Sequence, residues 1–234
     1  LCILDDVSAV GQADEIVLKG GVYGSVGAGP QRGRMEIWGS IEGAPYRLIE
    51  TTYDPSNCIY HVVLDANAAF AQGQADDFAA AEALYTKAAT DTSLTKCWVR
   101  ENEEEELRSF SLFRLAVVAA HQGKTDVAGD LIGSLTASYP GSIYDLAGQV
   151  WQSNFQQSNN IDSACAAVND FAVENPLAWE TLADYGYANP SFSAEEVCPV
   201  FDAAAASRGG ETASPHPRQV VSARLEPSAP HQRD

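Results

Sequence analysis

Long apolar runs are missing from this sequence: nothing approaches the ~20 consecutive residues that a membrane-spanning helix needs, so it holds no candidate span. Positive charge is also scarce. Lys and Arg number 14 against 32 Asp and Glu, a formal charge of −18. A surface of that sign repels phosphate backbones, which disfavours nucleic acid as a partner, and it repels anionic lipid head groups in the same way. Cysteine is sparse and widely spaced: Cys2, Cys58, Cys97, Cys165 and Cys198 contain no C-x-x-C pair, so neither a zinc ribbon nor a thioredoxin-type centre is indicated. Histidine is equally thin. His61 and His121 stand far apart without H-E-x-x-H spacing, and His216 and His231 fall near the C-terminus. The glycine-rich stretch Gly20–Gly33 has neither a G-K-[ST] loop nor a G-x-S-x-G elbow, and it reads as a hairpin connection. These gaps leave no pattern for catalysis and none for a cofactor or a metal, so the chain is read as a non-enzyme.

What is present is a globular composition, 45% hydrophobic, organised around one stretch. In Asp77–Ala89, DFAAAEALYTKAA, the residues Phe78, Ala81, Tyr85 and Ala88 fall on one helical face. The alanines admit a neighbouring helix, and the rings fill the space beside it. Similar stripes recur at Ala128, Leu131, Ile132 and Leu135, at Ile143, Leu146, Ala147, Val150 and Trp151, and at Ile161, Ala164, Cys165, Val168 and Phe171. Helices are expected near 59–72, 76–90, 104–122, 125–138, 142–157 and 161–174, with a closing helix near 193–206. Asp126 and Asp162 recur at close to the ~34-residue period of tetratricopeptide arrays. The alternation of small and aromatic residues in 61–90 resembles that family, and 105–175 resembles it more loosely, without the Trp and Gly usual in the first helix. The resemblance implies a stack of about three α-hairpins with a capping helix.

Residues 1–56 read differently. Glu15–Leu18, Met35–Trp38 and Tyr46–Ile49 are short β-prone runs between Gly, Pro and Ser, expected to form a small antiparallel segment. Three strands bury little on their own, so they are expected to be the end of a larger β-repeat domain. The run Asp6–Leu18 resembles the acidic loop and strand of FG-GAP or VCBS-type repeats. Asp6, Ser8 and Asp14 hold ligand positions of such a calcium loop, but Val10 stands where an oxygen ligand belongs, so the loop is read as degenerate and metal-free. A β-repeat end followed by tetratricopeptide-like hairpins is similar to bacterial secreted or lipid-anchored proteins of unassigned function, which implies an extracytoplasmic location.

The domain reading is therefore a β-rich segment over 1–56, helical hairpins with a capping helix over 57–206, and a disordered tail over 207–234 rich in proline. The fold class is mainly α: a tetratricopeptide-like α-α hairpin superhelix with a small N-terminal antiparallel β-segment. Its expected role is a non-catalytic scaffold that binds a protein or peptide in a concave groove, with Asn67, Phe70, Arg114 and Gln149 as lining. The alternative is a structural cell-envelope module that supports a β-repeat domain and has no ligand of its own. Glu101 and Glu103–Glu106 read as a solvated helix start suited to the N-terminal dipole. Trp98, Trp151 and Trp179 with Tyr139, Tyr144, Tyr185 and Tyr187 could form an aromatic binding wall, but Trp151 reads as core, and Trp179, Tyr185 and Tyr187, in an irregular 176–192 region, as cover for the end of the array. Cys165 and Cys198 either bridge, which would pin the C-terminal cap, or remain two buried thiols. Cys58 and Cys97 form the second candidate pair.

Overall fold

The computed structural model describes residues 2–5, 15–21, 26–40, 45–98, 100–201 and 218–219. The protein is mainly helical with a small N-terminal sheet, and its contacts divide it into two units. The first holds the strands β1 (Cys2–Asp5), β2 (Glu15–Gly21), β3 (Gly33–Gly39), β4 (Arg47–Tyr53) and β5 (Arg218–Gln219), in that order across the sheet. β1 and β2 pair antiparallel, as do β3 and β4, which carry a bulge between Ile37 and Trp38. The three expected runs lie in strands, except Tyr46, which precedes β4. β5 is parallel to β4 and falls within the stretch read as a structureless tail. Among the described residues of this unit Ile37 is the one large apolar side chain that is fully covered, beside the buried Glu15 and Thr51. The sheet's core is correspondingly thin. The presumed calcium loop, Asp6, Ser8 and Asp14, lies outside the described residues.

The second unit contains the helices α1 (Ile59–Ala71), α2 (Ala75–Thr90), α3 (Glu103–His121), α4 (Thr125–Ser138), α5 (Ile143–Ser158), α6 (Ile161–Glu174) and α7 (Leu177–Ala183). Their ends follow local chemistry. Gly73 and Gly123 sit at φ +71° and +77° just past α1 and α3, and Asn159 takes the left-handed cap of α5 at φ 49°. Ser142 and Asn160 cap α5 and α6 by accepting from the backbone N–H three residues on. Connections of two to four residues reverse the chain after α1, α3, α4 and α5, so consecutive helices pack side by side. Alanines at 66, 81, 88, 116, 128, 147, 164 and 172 are fully or almost fully buried where helices meet, while Phe70, Tyr85, Phe110 and Trp151 fill the wider gaps. The face that Phe78, Ala81, Tyr85 and Ala88 define is buried throughout.

α3 is the internal helix. Fourteen of its 19 residues are buried, and it touches α1, α2, α4, α5, α6 and α7. The longer connection between α2 and α3 is tied down by a Cys58–Cys97 disulfide and by backbone bonds joining Asn57 and Ile59 to Thr95.

The C-terminal part departs from expectation in two ways. A helix, α7, occupies Leu177–Ala183, inside a stretch expected to be irregular; Pro176 at its N-cap presets the backbone. Over 193–201, the described part of the closing helix expected near 193–206, there is instead a single 3-10 turn, Ala194–Glu196, with a Ser193–Glu196 capping box. Non-helical chain follows to Phe201. Pro199 disfavours a helical conformation at Cys198 and cannot donate a helical hydrogen bond itself, which ends the turn.

The glycine-rich stretch also differs from a plain hairpin connection, because Gly21–Arg32 belongs to the helical unit. Tyr187 and Ala188 donate backbone N–H groups to the carbonyls of Gly27 and Ala28 at 3.1 and 3.3 Å. The Arg32 guanidinium grips both carboxylate oxygens of Asp65. Gly186 makes this closeness possible. It sits at φ +86°, and a Cβ there would lie 2.5 Å from the Gly27 carbonyl oxygen. Gly186→Ala is therefore expected to lower stability by more than ~1 kcal/mol; a urea midpoint within error of the parent would show that this approach is not needed for folding.

Candidate functional site

One face of the helical unit gathers an unusual set of groups. On α6, Asp162, Cys165 and Asn169 follow one another at helical spacing, and on α3 Arg114 lies below them. Between the two helices runs the chain's own segment 192–201. Cys198 is disulfide-bonded to Cys165, with 4.9 Å between their Cα atoms. The Asn169 carboxamide clasps Cys198 twice: its Oδ1 accepts from the backbone N–H at 3.0 Å and its Nδ2 donates to the carbonyl at 2.9 Å. The Asp162 carboxylate accepts from the Phe201 N–H at 3.2 Å, and the Arg114 guanidinium donates to the Glu196 carbonyl at 3.0 Å. Phe201 closes the arrangement with its ring among Phe70, Phe78 and His121, at centroid distances of 5.2, 5.7 and 5.0 Å. Gly73 leaves room for that ring, since a Cβ there would meet it at 2.9 Å. At the other end Phe192 stands edge-on to Phe110.

Arg114 is the electrostatic feature of this face. It is 1% exposed and lies over the rings of Phe70 and Phe110 at 4.8 and 5.2 Å. Burial lowers its pKa, opposed by Tyr85, Glu196 and Tyr144. Its Nε and Nη1 find no acceptor among the described residues. The same desolvation pushes the Tyr85 phenol up to about 12, and that hydroxyl donates to Asn67 at 2.6 Å.

Of the expected groove residues, Asn67, Phe70 and Arg114 are brought together around Tyr85. They do not line an open groove. Phe70 and Arg114 are buried under the 192–201 segment, because rings and a guanidinium this size need cover. Gln149 is elsewhere, exposed on α5 and bonded to Asp145. Asp162 and Asn169, which hold the segment, escaped the sequence reading, although their i, i+3, i+7 spacing with Cys165 marks a polar stripe on an otherwise apolar face. A cleft of about 430 Å³ opens beside Phe201, between His121, Thr125, Phe155 and the 159–162 turn.

No family model, curated protein or solved structure matches this chain. The functional reading therefore stands on the geometry alone. No helix among the described residues is long and apolar enough to cross a membrane, and those residues hold no grouping of three or more His, Cys, Asp or Glu suited to a metal ion.

The remaining candidates have structural roles. Glu103, expected in a solvated helix start, is fully buried. Its carboxylate accepts from the N–H groups of Cys97 and Trp98 and from the Tyr185 hydroxyl at 3.0–3.2 Å, and so seals the 97–103 turn. Glu104 and Glu105 are exposed, as a helix start requires. Tyr185 in turn stacks on Tyr60, with 3.5 Å between ring centroids. Trp151 is core, stacked on Phe155. His61 holds Ser56 Oγ at 2.9 Å through Nδ1, while Nε2 faces the Pro30 carbonyl at 3.4 Å; this ties α1 to the turn before it.

Two predictions follow from these environments. A buried cation with one acceptor stabilises a fold poorly compared with an apolar side chain of similar volume. Arg114→Met should therefore leave the urea midpoint unchanged or raised, whereas Arg114→Ala, which opens a cavity, should lose ~2–5 kcal/mol. A large loss in both variants would make the guanidinium a structural necessity.

The second concerns pH. Burial holds the imidazoles of both His61 and His121 below the ordinary histidine range; Arg32 adds to this at His61, Asp65 opposes it there, and Asp162 opposes it at His121. Below the unfolded value of about 6.5 the unfolded chain takes protons that the folded chain refuses, so stability falls with pH through that region. Between pH 7 and 5 the fall should be shallower in His61→Gln and in His121→Gln, measured by urea unfolding, and parallel curves would show that neither histidine contributes.

Proposed function

We propose that this protein is a non-catalytic, tetratricopeptide-like scaffold that binds a protein or peptide and works outside the cytoplasm. The observation that carries the reading is the way α3 and α6 treat residues 196–201. Three side chains, Arg114, Asp162 and Asn169, direct four bonds to main-chain N–H and C=O groups rather than to side chains. A face that reads backbone in this manner accepts main chain of many sequences, as peptide-recognition surfaces do. Hairpins joined by short turns give such a face its rigidity. Support for an extracytoplasmic setting comes from the two disulfides, Cys58–Cys97 and Cys165–Cys198, which persist in oxidising compartments. The acidic surface, −18 overall, argues for a partner that is not nucleic acid.

A specific observation favours the second reading, a structural envelope module without a ligand. The backbone-reading face is already filled and covalently stapled by the chain itself. The two readings separate in a selection experiment. Panning a random dodecapeptide library against the disulfide-bonded protein and against Cys198→Ser should enrich a family of peptides that binds the helical unit in at least one form. Absence of enrichment on both forms would leave the structural module as the better reading.

A further inference from the structure

The segment 192–201 is held by two kinds of interaction. The four main-chain bonds from Arg114, Asn169 and Asp162 are indifferent to its sequence. What is particular to this segment is its side-chain packing, with Phe192 edge-on to Phe110, Val197 buried and the Phe201 ring against His121, together with the Cys165–Cys198 bond. Another chain that takes the same 3-10 turn and bend on this face could make the first set and would lack the covalent part. The segment thus has the geometry of a bound peptide that happens to be attached.

Arg114 adds an independent observation. Its guanidinium is buried, and among the described residues Nε and Nη1 have no partner and the single acceptor offered to it is the neutral Glu196 carbonyl. The charge of Glu196 favours the cation but its carboxylate makes no hydrogen bond to it, being turned back to the N–H and hydroxyl of Ser193 at 2.8 and 3.0 Å. A buried cation left with one neutral acceptor is poorly served by the present occupant. A carboxylate at that place would supply the charge and two acceptor oxygens in the geometry a guanidinium prefers. Val197, the next residue, is fully buried, so its position directs a side chain inward beside that carbonyl.

We propose that residues 192–201 are a tethered occupant of a peptide groove, latched by the Cys165–Cys198 bond, and that the groove's other occupant is a peptide that takes the same turn, with an acidic side chain seated on Arg114. The inference rests on the peptide-binding reading above and narrows it to one face and one ligand chemistry. While the latch is closed the segment cannot be displaced. Once it is open, the segment still competes at an effective concentration on the order of millimolar, so an incoming peptide needs the added carboxylate contact to win.

Two measurements on the full chain test this. In the first, amide hydrogen exchange is followed with and without a dithiol, which converts the disulfide to two thiols and is itself oxidised to a cyclic disulfide. The amides of Val197, Cys198 and Phe201 should lose protection on reduction while those of α3 and α6 keep theirs. Loss of protection only together with the helices would make the segment part of the core and overturn the proposal.

In the second, two fluorescent peptides capped at both ends are titrated: residues 192–201 with Cys198→Ser, and the same peptide with Val197→Asp as well. Disulfide-bonded protein should bind neither. The Cys198→Ser, Phe201→Ala protein should bind both, the acidic peptide at least tenfold more tightly, and adding Arg114→Met should abolish that preference. Binding of neither peptide to a variant with parental helical circular dichroism, or equal binding of both, overturns the proposal. Enrichment of library peptides that bind another face, alongside that result, would leave the scaffold reading intact and remove only the tethered occupant.

Discussion

The helical unit is arranged around the need to cover α3 on every side. A helix with Leu107, Phe110, Phe113, Val117 and Val118 among its buried residues has no face to give to water, and such helices are found inside a fold rather than on its surface. The hairpins α1–α2, α3–α4 and α5–α6 supply most of the cover. Part of what remains, around Phe110 and Arg114, is covered by residues 192–201. The internal position of α3 thus explains why a non-helical stretch lies where a closing helix would have presented another apolar stripe.

Covering an internal helix with irregular chain creates a second demand. Irregular backbone brings N–H and C=O groups into a dry place where helical partners are absent, and each unpaired group costs ~1–3 kcal/mol. The Asn169 clasp on Cys198 and the Asp162 contact with Phe201 meet that demand. The same logic places the carboxylates of Glu103 and Asp145 in the interior, where each accepts from backbone N–H groups of a neighbouring turn. Arg114 is the exception. Its charge is spread over aromatic faces and one carbonyl, and two of its nitrogens have no partner among the described residues.

Much of the regular structure was legible because it is written in periods. The stripe of Phe78, Ala81, Tyr85 and Ala88 marks a buried face, and the stripes in α4, α5 and α6 place those helices within a residue or two of where they lie. The strands containing Glu15–Leu18, Met35–Trp38 and Arg47–Ile49 were equally plain. α7, only seven residues long, is too short for a period to emerge. The 192–201 segment is invisible to periodicity for a different reason: what fixes it is a few side chains on a distant helix bonding to its backbone, and backbone carries no sequence signal. The groove residues show the same limit. Helical spacing put Phe70 and Arg114 on the inward faces of α1 and α3, but it could not say that another stretch of chain would lie over them. Gln149 sits on α5 among inward positions, yet its amide is taken by Asp145 one turn earlier.

The two disulfides close separate loops. Cys58–Cys97 spans 39 positions and Cys165–Cys198 spans 33, and neither encloses the other. Viewed mechanically, a chain pulled from both ends cannot pay out the residues inside either loop. About 130 Å and 110 Å of contour, at ~3.4 Å per residue, are withheld from extension. The stretch between Cys97 and Cys165, which contains α3, is held by noncovalent contacts alone and is the part of the helical unit that can yield under load. Tension would therefore be spent on the internal helix and its neighbours, while the first helix pair and the end of the array remain as short, crosslinked knots on the line.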